Sequence, residues 1–277
     1  MPRPSRPPFL RRQAGRVLRR LREQAGLTQE EAGKPIRISK SKLSRIEQGH
    51  LPGYNDFLAL LDRYGVLTTD YDEYVRMYDK AKEVGWWPGN WPRDRGYVGA
   101  EASACATSQV QIGLVPGLHQ TESYARRLFE NSVINWATGQ IDEMVAVRMR
   151  RQQRLIDDPD FRVRQIVDES VFHRPWCDRE QVEKVIERAA LPNTTIQVLA
   201  LSAGPHVGLH GGFVILDFPD PEEPGLLYLE GGFGSIHLET AKEISEARMQ
   251  FKHLSKVALD ESASVELLKR IALSPGL

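Results

Sequence analysis

A short basic segment of the chain carries the side chains best suited to bind a polyanion. Five residues within six positions combine positive charge with hydroxyl groups: Lys40, Ser41, Lys42, Ser44 and Arg45. Ammonium, guanidinium and hydroxyl groups donate hydrogen bonds to phosphate oxygens and to the edges of nucleic-acid bases. The chemistry predicted for this segment is therefore noncovalent binding of nucleic acid, and the alternative is a merely solvated, charged face of a helix.

The element that must hold these side chains is a helix that begins at residue 40. Ser39 is a suitable N-cap, because its hydroxyl can accept a hydrogen bond from an N–H of the first turn. Leu43 and Ile46 lie three positions apart and would face a core, which leaves the basic and hydroxyl-bearing side chains outside. Gly49 is expected to end the helix in a left-handed conformation.

A second short helix is predicted just before this one. Thr28 and Glu31 form a capping-box pattern, so a helix should begin at Gln29. Pro35 lacks the N–H needed to continue the hydrogen-bond ladder, and it should also push Lys34 towards an extended conformation. Two helices joined by a turn form the arrangement that places the second helix in the major groove of DNA.

Two longer amphipathic helices flank this pair and could close a small core around it. Residues 12–25 place an apolar stripe opposite an arginine-rich face, and residues 55–64 repeat the pattern before Gly65. Glu47 is more consistent with pairing to an arginine of the first helix than with accepting a hydrogen bond from cytosine. Residues 11–66 are therefore predicted to form a mainly α helix-turn-helix DNA-binding domain.

The distribution of charge supports nucleic-acid binding by the N-terminal part of the chain. The 277 residues include 37 Lys and Arg against 37 Asp and Glu, so the formal net charge is zero. Residues 1–66 hold 14 Lys and Arg against 6 Asp and Glu, which leaves 23 against 31 for the remainder. A basic domain attached to an acidic one directs DNA to the basic domain. With 41% hydrophobic and 27% charged residues, two globular domains are expected.

The first residues of the chain are expected to differ from the domain that comes after them. Four prolines lie among residues 2–8, so residues 1–10 are predicted to form a disordered basic arm. Such an arm could enter a minor groove, but a solvated tail without specific contacts is the simpler interpretation. The sequence shows neither an apolar run of membrane-spanning length nor a signal-peptide pattern, so a cytoplasmic location is expected.

The helix-turn-helix pattern contains phrases known from a class of DNA-binding proteins. They are LTQEE at 27–31, Ser39, and the SKSKLSRIEQG run at 39–49. These phrases resemble the helix-turn-helix of the xenobiotic-response-element class, which is related to phage repressors and Cro. The resemblance implies that Gln29 contacts a phosphate and that the five basic and hydroxyl residues named above read bases.

Three residues depart from the pattern of that class. Gly33 stands where an alanine usually packs, and Pro35 interrupts the usual second helix. Arg37 occupies a turn position where the class prefers glycine for its positive φ. Arginine at such a position should cost some stability, and it could add a phosphate contact.

The rest of the chain is predicted to contain a connector and an α+β domain. Residues 67–96 combine a helical pattern with most of a Trp- and Pro-rich hinge, whose pattern runs from 85 to 97. Residues 97–277 mix helical periodicity with four short apolar and β-branched runs that indicate strands. These runs lie at 161–167, 195–201, 212–217 and 226–230. We expect helices surrounding a small antiparallel sheet.

Four phrases of the second domain recur in a known group of regulators. They are YVGAEASA at 97–104, LVPGLHQTESYARRL at 114–128, the run with Arg148, Arg151 and Gln152, and LPNTTIQVLAL at 191–201. They resemble the C-terminal domain of unknown function in WhiJ-like regulators of actinomycetes, over most of residues 85–272. The resemblance implies a transcriptional regulator, often encoded beside a small acidic partner protein and sometimes described as toxin–antitoxin-like, and it implies no catalytic residues.

Other reactive side chains do not form a convincing site in the sequence. His206 and His210 have a spacing that suits metal ligands on a helix, but Pro205 and the surrounding glycines exclude a helix there. Cys105 and Cys177 form neither a disulfide framework nor a metal-binding cysteine pair. The glycine clusters do not match a phosphate-binding loop, and no serine lies in a nucleophile elbow. No catalytic residue, metal or cofactor is therefore predicted.

The sequence as a whole predicts a non-enzymatic, sequence-specific DNA-binding transcriptional regulator. Because one short helix reads too few base pairs to define a genomic site, a homodimer on a palindromic operator is expected. The C-terminal domain would then serve dimerisation, or the binding of a ligand or partner. The alternatives are an interaction module that sequesters a small partner protein, with DNA binding secondary, and an enzyme with a vestigial DNA-binding domain.

Overall fold

The structure is a computed structural model that describes residues 9–82, 95–219, 224–232 and 234–274. The described residues form two compact units, one with residues 9–82 and 95–100 and the other with residues after 100. The first eight residues of the predicted basic arm, and residues 85–94 of the predicted hinge, lie outside the described residues.

Residues 9–82 of the first unit form five α-helices. They are α1 (Phe9–Gln24), α2 (Gln29–Gly33), α3 (Lys40–Glu47), α4 (Tyr54–Arg63) and α5 (Tyr71–Lys82). Their apolar stripes meet in one core, in which Leu18, Leu43 and Phe57 are at most 1% exposed. Burial of a large apolar side chain contributes roughly 1.5–3 kcal/mol, so these stripes hold the helices together. The predicted mainly α domain is confirmed, and α1 begins at Phe9, inside the segment predicted to be an arm.

The predicted starts of α2 and α3 are confirmed by their caps. Thr28 Oγ1 accepts a hydrogen bond from the Glu31 N–H at 3.2 Å, and the Thr28 N–H donates to the Glu31 carboxylate at 2.8 Å. Ser39 Oγ accepts from the Lys42 N–H, so α3 begins at Lys40. These caps satisfy N–H groups that the helices themselves leave without partners.

Lys34 contradicts the expectation that the residue before Pro35 would be extended. Its φ and ψ are −54° and −49°, which is a helical conformation. The chain continues from α2 into a 3₁₀ turn, Lys34–Ile36, whose start tolerates a residue without an N–H. The Ile38 N–H donates to the Gly33 carbonyl oxygen at 2.9 Å and closes this turn, which outweighs the local steric preference.

Three glycines are explained by close backbone contacts or by positive φ. A Cβ on Gly15 would lie 2.6 Å from the Ile46 carbonyl oxygen, so α1 crosses the end of α3 without a side chain between them. A Cβ on Gly33 would collide with the Ile38 carbonyl oxygen, which explains why glycine replaces the usual alanine. Gly49 follows α3 with a φ of 100°, as predicted for the end of that helix.

α5 packs within the first unit. The Tyr78 hydroxyl is buried and donates to the Pro52 carbonyl oxygen at 2.9 Å. Arg11 Nε donates to the Ala81 carbonyl oxygen at 3.3 Å and so joins α1 to α5. The helical part of the predicted connector is therefore in contact with the helix-turn-helix core.

The second unit is built on a six-stranded sheet. Its strands are β1 (Ala106–Gln111), β2 (Arg162–Asp168), β3 (Thr194–Leu199), β4 (Phe213–Asp217), β5 (Leu226–Gly231) and β6 (Gly234–Leu238). The strand order is β3-β2-β1-β4-β5-β6, with β1, β2 and β3 parallel and the other pairs antiparallel. The α+β class is confirmed, but the sheet is mixed rather than antiparallel. Helices occupy the long connections between the parallel strands, whereas short connections join β4, β5 and β6.

Helices pack on both faces of this sheet. They are α7 (Glu122–Glu130), α8 (Gln140–Asp157), α9 (Arg179–Ala189), α10 (Ala241–Val257) and α11 (Glu261–Ala272), while α6 (Arg95–Ser103) contributes residues to each unit. α7, α9 and α11 bury apolar side chains against one face, which includes Val167 and Val198. α10 packs against the other face, which includes Ile166 and Ile215.

The residues behind the second resemblance form a buried polar network. Arg151 donates two hydrogen bonds to Glu101, at 2.7 and 2.8 Å, and the two side chains are 10% and 5% exposed. Gln152 Nε2 donates to the Gln120 carbonyl oxygen at 2.8 Å, and Arg148 donates to Gln120 Oε1 at 2.6 Å. These hydrogen bonds fix the segment between β1 and α7. A structural role therefore accounts for this part of the sequence resemblance.

Candidate nucleic-acid interface

α3 presents a polar stripe on the side opposite its buried apolar residues. The helical repeat places Ser41, Ser44, Arg45 and Gln48 in this α3 stripe, and Arg45 is exposed. Ser41 Oγ lies 3.1 Å from Ser39 Oγ, and the Gln48 amide donates to Ser44 Oγ at 3.1 Å. These local bonds orient the hydroxyl groups, each of which keeps further capacity to donate or accept.

Lys40 and Lys42 lie at opposite margins of the α3 stripe. Lys42 Nζ is 2.7 Å from Asp56 Oδ2, in the first turn of α4, and the side chains are 44% and 35% exposed. Such a half-exposed ion pair contributes only about 0–1 kcal/mol, so a phosphate could replace the carboxylate. Lys40 is exposed, and within the described part of the chain its side chain has no hydrogen-bond or ion-pair partner.

Arg37 occupies the turn between α2 and α3 in a left-handed conformation. Its φ is 59° and its ψ is 30°, which confirms the positive φ expected at this position. A residue with a Cβ pays roughly 1 kcal/mol to adopt this conformation. The side chain is exposed and makes no hydrogen bond or ion pair with any residue that the structure describes.

Gln29 lies at the start of α2, and its amide is partly engaged. Gln29 Nε2 donates to Glu47 Oε2 at 2.8 Å, so one amide hydrogen is left to donate to a phosphate. The same carboxylate accepts from Arg22 Nε at 2.6 Å and from Arg22 Nη2 at 3.2 Å. The predicted pairing of Glu47 with an arginine of the first helix is confirmed, and it leaves Glu47 unsuited to base recognition.

The Arg22 side chain therefore connects three elements. Its Nη1 also donates to the Leu27 carbonyl oxygen at 2.7 Å, just before α2. The hydrogen bond to Glu47 raises the pKa of Arg22 above its ordinary value, against the opposing effect of burial. The permanently charged guanidinium thus fixes the start of α2 and the end of α3 relative to α1.

Two contributors to this surface were missed by sequence analysis. Gln48 lies four residues after Ser44, so helical spacing could have indicated that it extends the α3 stripe. Asp56 lies 14 residues after Lys42 and on another helix, so no local pattern indicates their pairing.

The side chains near His206 in the second unit form a different cluster. His206 Nε2 lies 3.7 Å from Asp168 Oδ2, and Ser170 Oγ donates to the same carboxylate rather than to the histidine. A serine nucleophile would need the histidine as its base.

Cys105 and Cys177 are free thiols, and burial raises the pKa of Cys177 to about 12. Within the described residues, no group of three His, Cys, Asp or Glu side chains is placed to hold a metal ion.

Comparison with known proteins gives one family match in each part of the chain. A helix-turn-helix domain matches residues 13–73, which contain α2, the turn and α3. A domain of unknown function, DUF5753, matches residues 94–270, and no curated protein or solved structure matches the chain. Among the described helices, none is long and apolar enough to cross a membrane. The helix-turn-helix indicates a DNA-binding regulator. Because the second match covers more than half of the chain, the protein belongs to the DUF5753 family.

Proposed function

We propose that this protein is a sequence-specific transcriptional regulator that reads a palindromic operator as a homodimer. The observation that carries the proposal is the α3 stripe, which exposes hydroxyl, amide and guanidinium groups on a capped helix. The inner side of that helix is held by the Arg22–Glu47 pair and by the apolar core. A rigid helix with exposed donors is what recognition in the major groove requires.

The side chains of the stripe are assigned to bases, and those at its margins to phosphates. Arg45 can donate two hydrogen bonds to one guanine, and the hydroxyl groups of Ser41 and Ser44 can contact any base edge. Phosphate contacts set the register of the helix in the groove. They are assigned to Gln29, Arg37, Lys40 and Lys42. The resemblance implied that the two lysines read bases, and we reassign them to phosphates because they lie at the margins of the α3 stripe.

The homodimer is inferred from the length of the recognition helix. α3 has eight residues, so it is about 12 Å long and spans only a few base pairs. Two copies placed about 34 Å apart, one turn of DNA, would double the sequence that is read. The second unit is then available for dimerisation, or for binding a ligand or partner.

The domain order also supports a relationship to WhiJ-like regulators. The helix-turn-helix precedes the DUF5753 domain, as the sequence resemblance implied. On this basis we include a small acidic partner protein encoded nearby among the proposed partners. No catalysis is proposed for the second unit, whose family-like residues form buried hydrogen bonds that fix neighbouring segments.

The proposal is tested by selecting random DNA duplexes with the full-length protein at physiological salt. A palindromic motif is expected, bound at least about 10³-fold more tightly than non-specific DNA. Arg45→Gln should weaken binding by about 1–3 kcal/mol and relax the preference at one position of each half-site. The matched control is Arg76→Gln on α5, an exposed arginine that donates to the Asp72 carbonyl oxygen and should leave affinity unchanged.

One result would contradict this proposal. Binding without any motif, with a steep salt dependence and no response to Arg45→Gln, would mean that α3 does not read sequence. Recovery of a small protein in fixed stoichiometry with the same variant would then favour the interaction module.

A further inference from the structure

A groove in the second unit has the size of a small-molecule site. Its volume is about 710 Å³, and it lies between α10 and the sheet face on which α10 packs. Small-molecule sites typically measure about 300–1,000 Å³. All residues that line the groove belong to the second unit, so a ligand site there does not depend on DNA binding by the first unit.

The floor of this groove is a row of side chains that crosses four strands. The strand register aligns Ile215 of β4, Ser108 of β1, Arg164 of β2 and Thr195 of β3. Residues paired in this way project from the same face of a sheet. The row presents chiefly the exposed Arg164 guanidinium and the half-buried Thr195 side chain, because Ser108 and Ile215 are only 3% and 1% exposed.

One wall of the groove is a stripe of α10. Lys252 and Lys256 are four residues apart on this stripe, and Phe251 lies beside them. The Arg164 guanidinium carbon is 5.7 Å from the centre of the Phe251 ring, so the floor and the wall meet at these two residues. Both lysines are exposed, and neither has a hydrogen-bond or ion-pair partner among the side chains that the structure describes.

The charge balance of the groove favours an anion. Arg248 also lines it, but this arginine is paired with Asp217. Asp260 and Glu261 are the acidic lining residues, and Asp260 already accepts the Ala263 N–H as the N-cap of α11. The three remaining cations outnumber these two carboxylates, in a part of the chain whose overall charge is negative. A local excess of positive charge in an acidic domain attracts small anions.

We propose that this groove binds a small amphiphilic organic anion. Arg164, Lys252 and Lys256 bind its carboxylate, sulfonate or phosphate group through charge-assisted hydrogen bonds. Its apolar part packs against the accessible edge of Phe251, which is 8% exposed, and against the alkyl chains of the two lysines. Exposed lysines alone would bind any anion weakly, and the apolar surface beside them selects ligands that carry a ring or chain.

The test compares two fluorescent probes that differ only in charge. Anilinonaphthalene sulfonate carries an anionic group, and phenylnaphthylamine is the same aromatic framework without the sulfonate. Full-length protein is expected to bind the sulfonate more tightly, and added salt should weaken only the sulfonate. The double variant Lys252→Gln, Lys256→Gln should weaken sulfonate binding about tenfold and leave the neutral probe unchanged.

Two control variants separate the groove from other basic surfaces. Lys242→Gln changes an exposed lysine of the same helix that does not line the groove, and it should leave both affinities unchanged. Arg45→Gln should also leave them unchanged, because that side chain belongs to the first unit. Equal loss of both probes in the double variant, or an equal effect of Lys242→Gln, would overturn the proposal. Sulfonate binding that is insensitive to salt in the unmodified protein would overturn it as well.

Discussion

Arg22 and Glu47 form a doubly hydrogen-bonded ion pair that joins α1 to the end of α3 in an almost fully buried environment. The N–O distances are 2.6 and 3.2 Å, and the side chains are 9% and 5% exposed. Arg19 and Glu23 form a second pair at 2.8 Å on the same helix, with side chains 62% and 51% exposed. The two pairs share their chemistry and differ mainly in burial, and they are linked by a weaker contact of 3.4 Å between Arg22 Nη2 and Glu23 Oε1.

Glu47→Gln is expected to lower the free energy of unfolding of the first unit by about 3 kcal/mol, because it leaves the buried Arg22 guanidinium with only the longer, 3.4 Å ion pair to Glu23. Glu23→Gln should have a much smaller effect, since water solvates Arg19. Hydrogen exchange at the amides of α1 and α3, followed by mass spectrometry, reports the stability of this unit separately. Equal acceleration of exchange in both variants would show that the buried pair has no special role.

Arg37→Gly is expected to change stability and DNA affinity in opposite directions. Glycine relieves the left-handed conformation at φ 59° and should stabilise the first unit by roughly 0.5 kcal/mol, after the cost of a freer unfolded chain. Loss of the guanidinium should weaken binding to all DNA sequences and reduce the salt slope by about 1. Arg37→Lys keeps both the charge and the strain and serves as the control. Unchanged affinity of the glycine variant would remove Arg37 from the interface.

The stability of the second unit is expected to fall in mild acid because of His119. This side chain is fully buried, and desolvation, together with the charge of Arg188, lowers its pKa from 6.5 to about 3. The unfolded chain therefore binds more protons between these values. The contribution of neutral His119 to the free energy of unfolding is complete above pH 6.5. It is lost as the pH falls towards 3, by up to about 1.4 kcal/mol per pH unit.

Denaturant unfolding of the second unit between about pH 5 and 6.5 tests this expectation, because most carboxyl groups stay ionised there. His119→Gln should flatten the dependence of stability on pH. His253→Gln changes an exposed histidine of the second unit and should leave the dependence as it is. A slope that persists in His119→Gln would assign it to another group.

The helix-turn-helix could be predicted from the sequence because its signals are local. The Thr28–Glu31 capping box, the Ser39 cap and Gly49 each act within a few residues. The conformation of Lys34 could not be predicted in this way, because a hydrogen bond between Gly33 and Ile38 closes the turn around it.

The sheet was less predictable, because its pairing and part of its burial are not local. β1 was missed because it contains Gln109, a polar residue that is buried, with only 8% of its surface exposed. The Gln109 amide oxygen accepts a hydrogen bond from the buried Gln165 amide nitrogen at 3.2 Å. Such a pair hides the apolar pattern by which a strand is recognised. Whether neighbouring strands run parallel depends on the path of the intervening helices, which no short pattern specifies.

In the candidate interface, the sequence predicted which side chains are exposed, but it did not predict which of them already have partners within the protein. Arg45 and Lys40 are exposed on a capped helix, as their positions predicted. Lys42 and Gln29 are partly occupied by carboxylates of α4 and α3, and those partners lie 14 and 18 residues away. Whether such a side chain can contact DNA depends on how weakly its partner holds it.

The variant Asp56→Asn measures the competition between the Asp56 carboxylate and a DNA phosphate for the Lys42 ammonium. The Lys42 ammonium is 2.7 Å from the Asp56 carboxylate, so it must share or give up this partner when it contacts a phosphate. Removal of the carboxylate charge should therefore strengthen DNA binding about two- to threefold, in line with the energy of a half-exposed ion pair. Asp62→Asn, an exposed aspartate of the same helix, is the control and should have a smaller effect.

In a Lys42→Met background the gain from Asp56→Asn should disappear, because the ammonium for which the carboxylate and the phosphate compete is gone. Titration of one duplex with all four combinations gives the coupling. An equal gain in both backgrounds would show that the carboxylate merely repels the DNA and that Lys42 makes no contact.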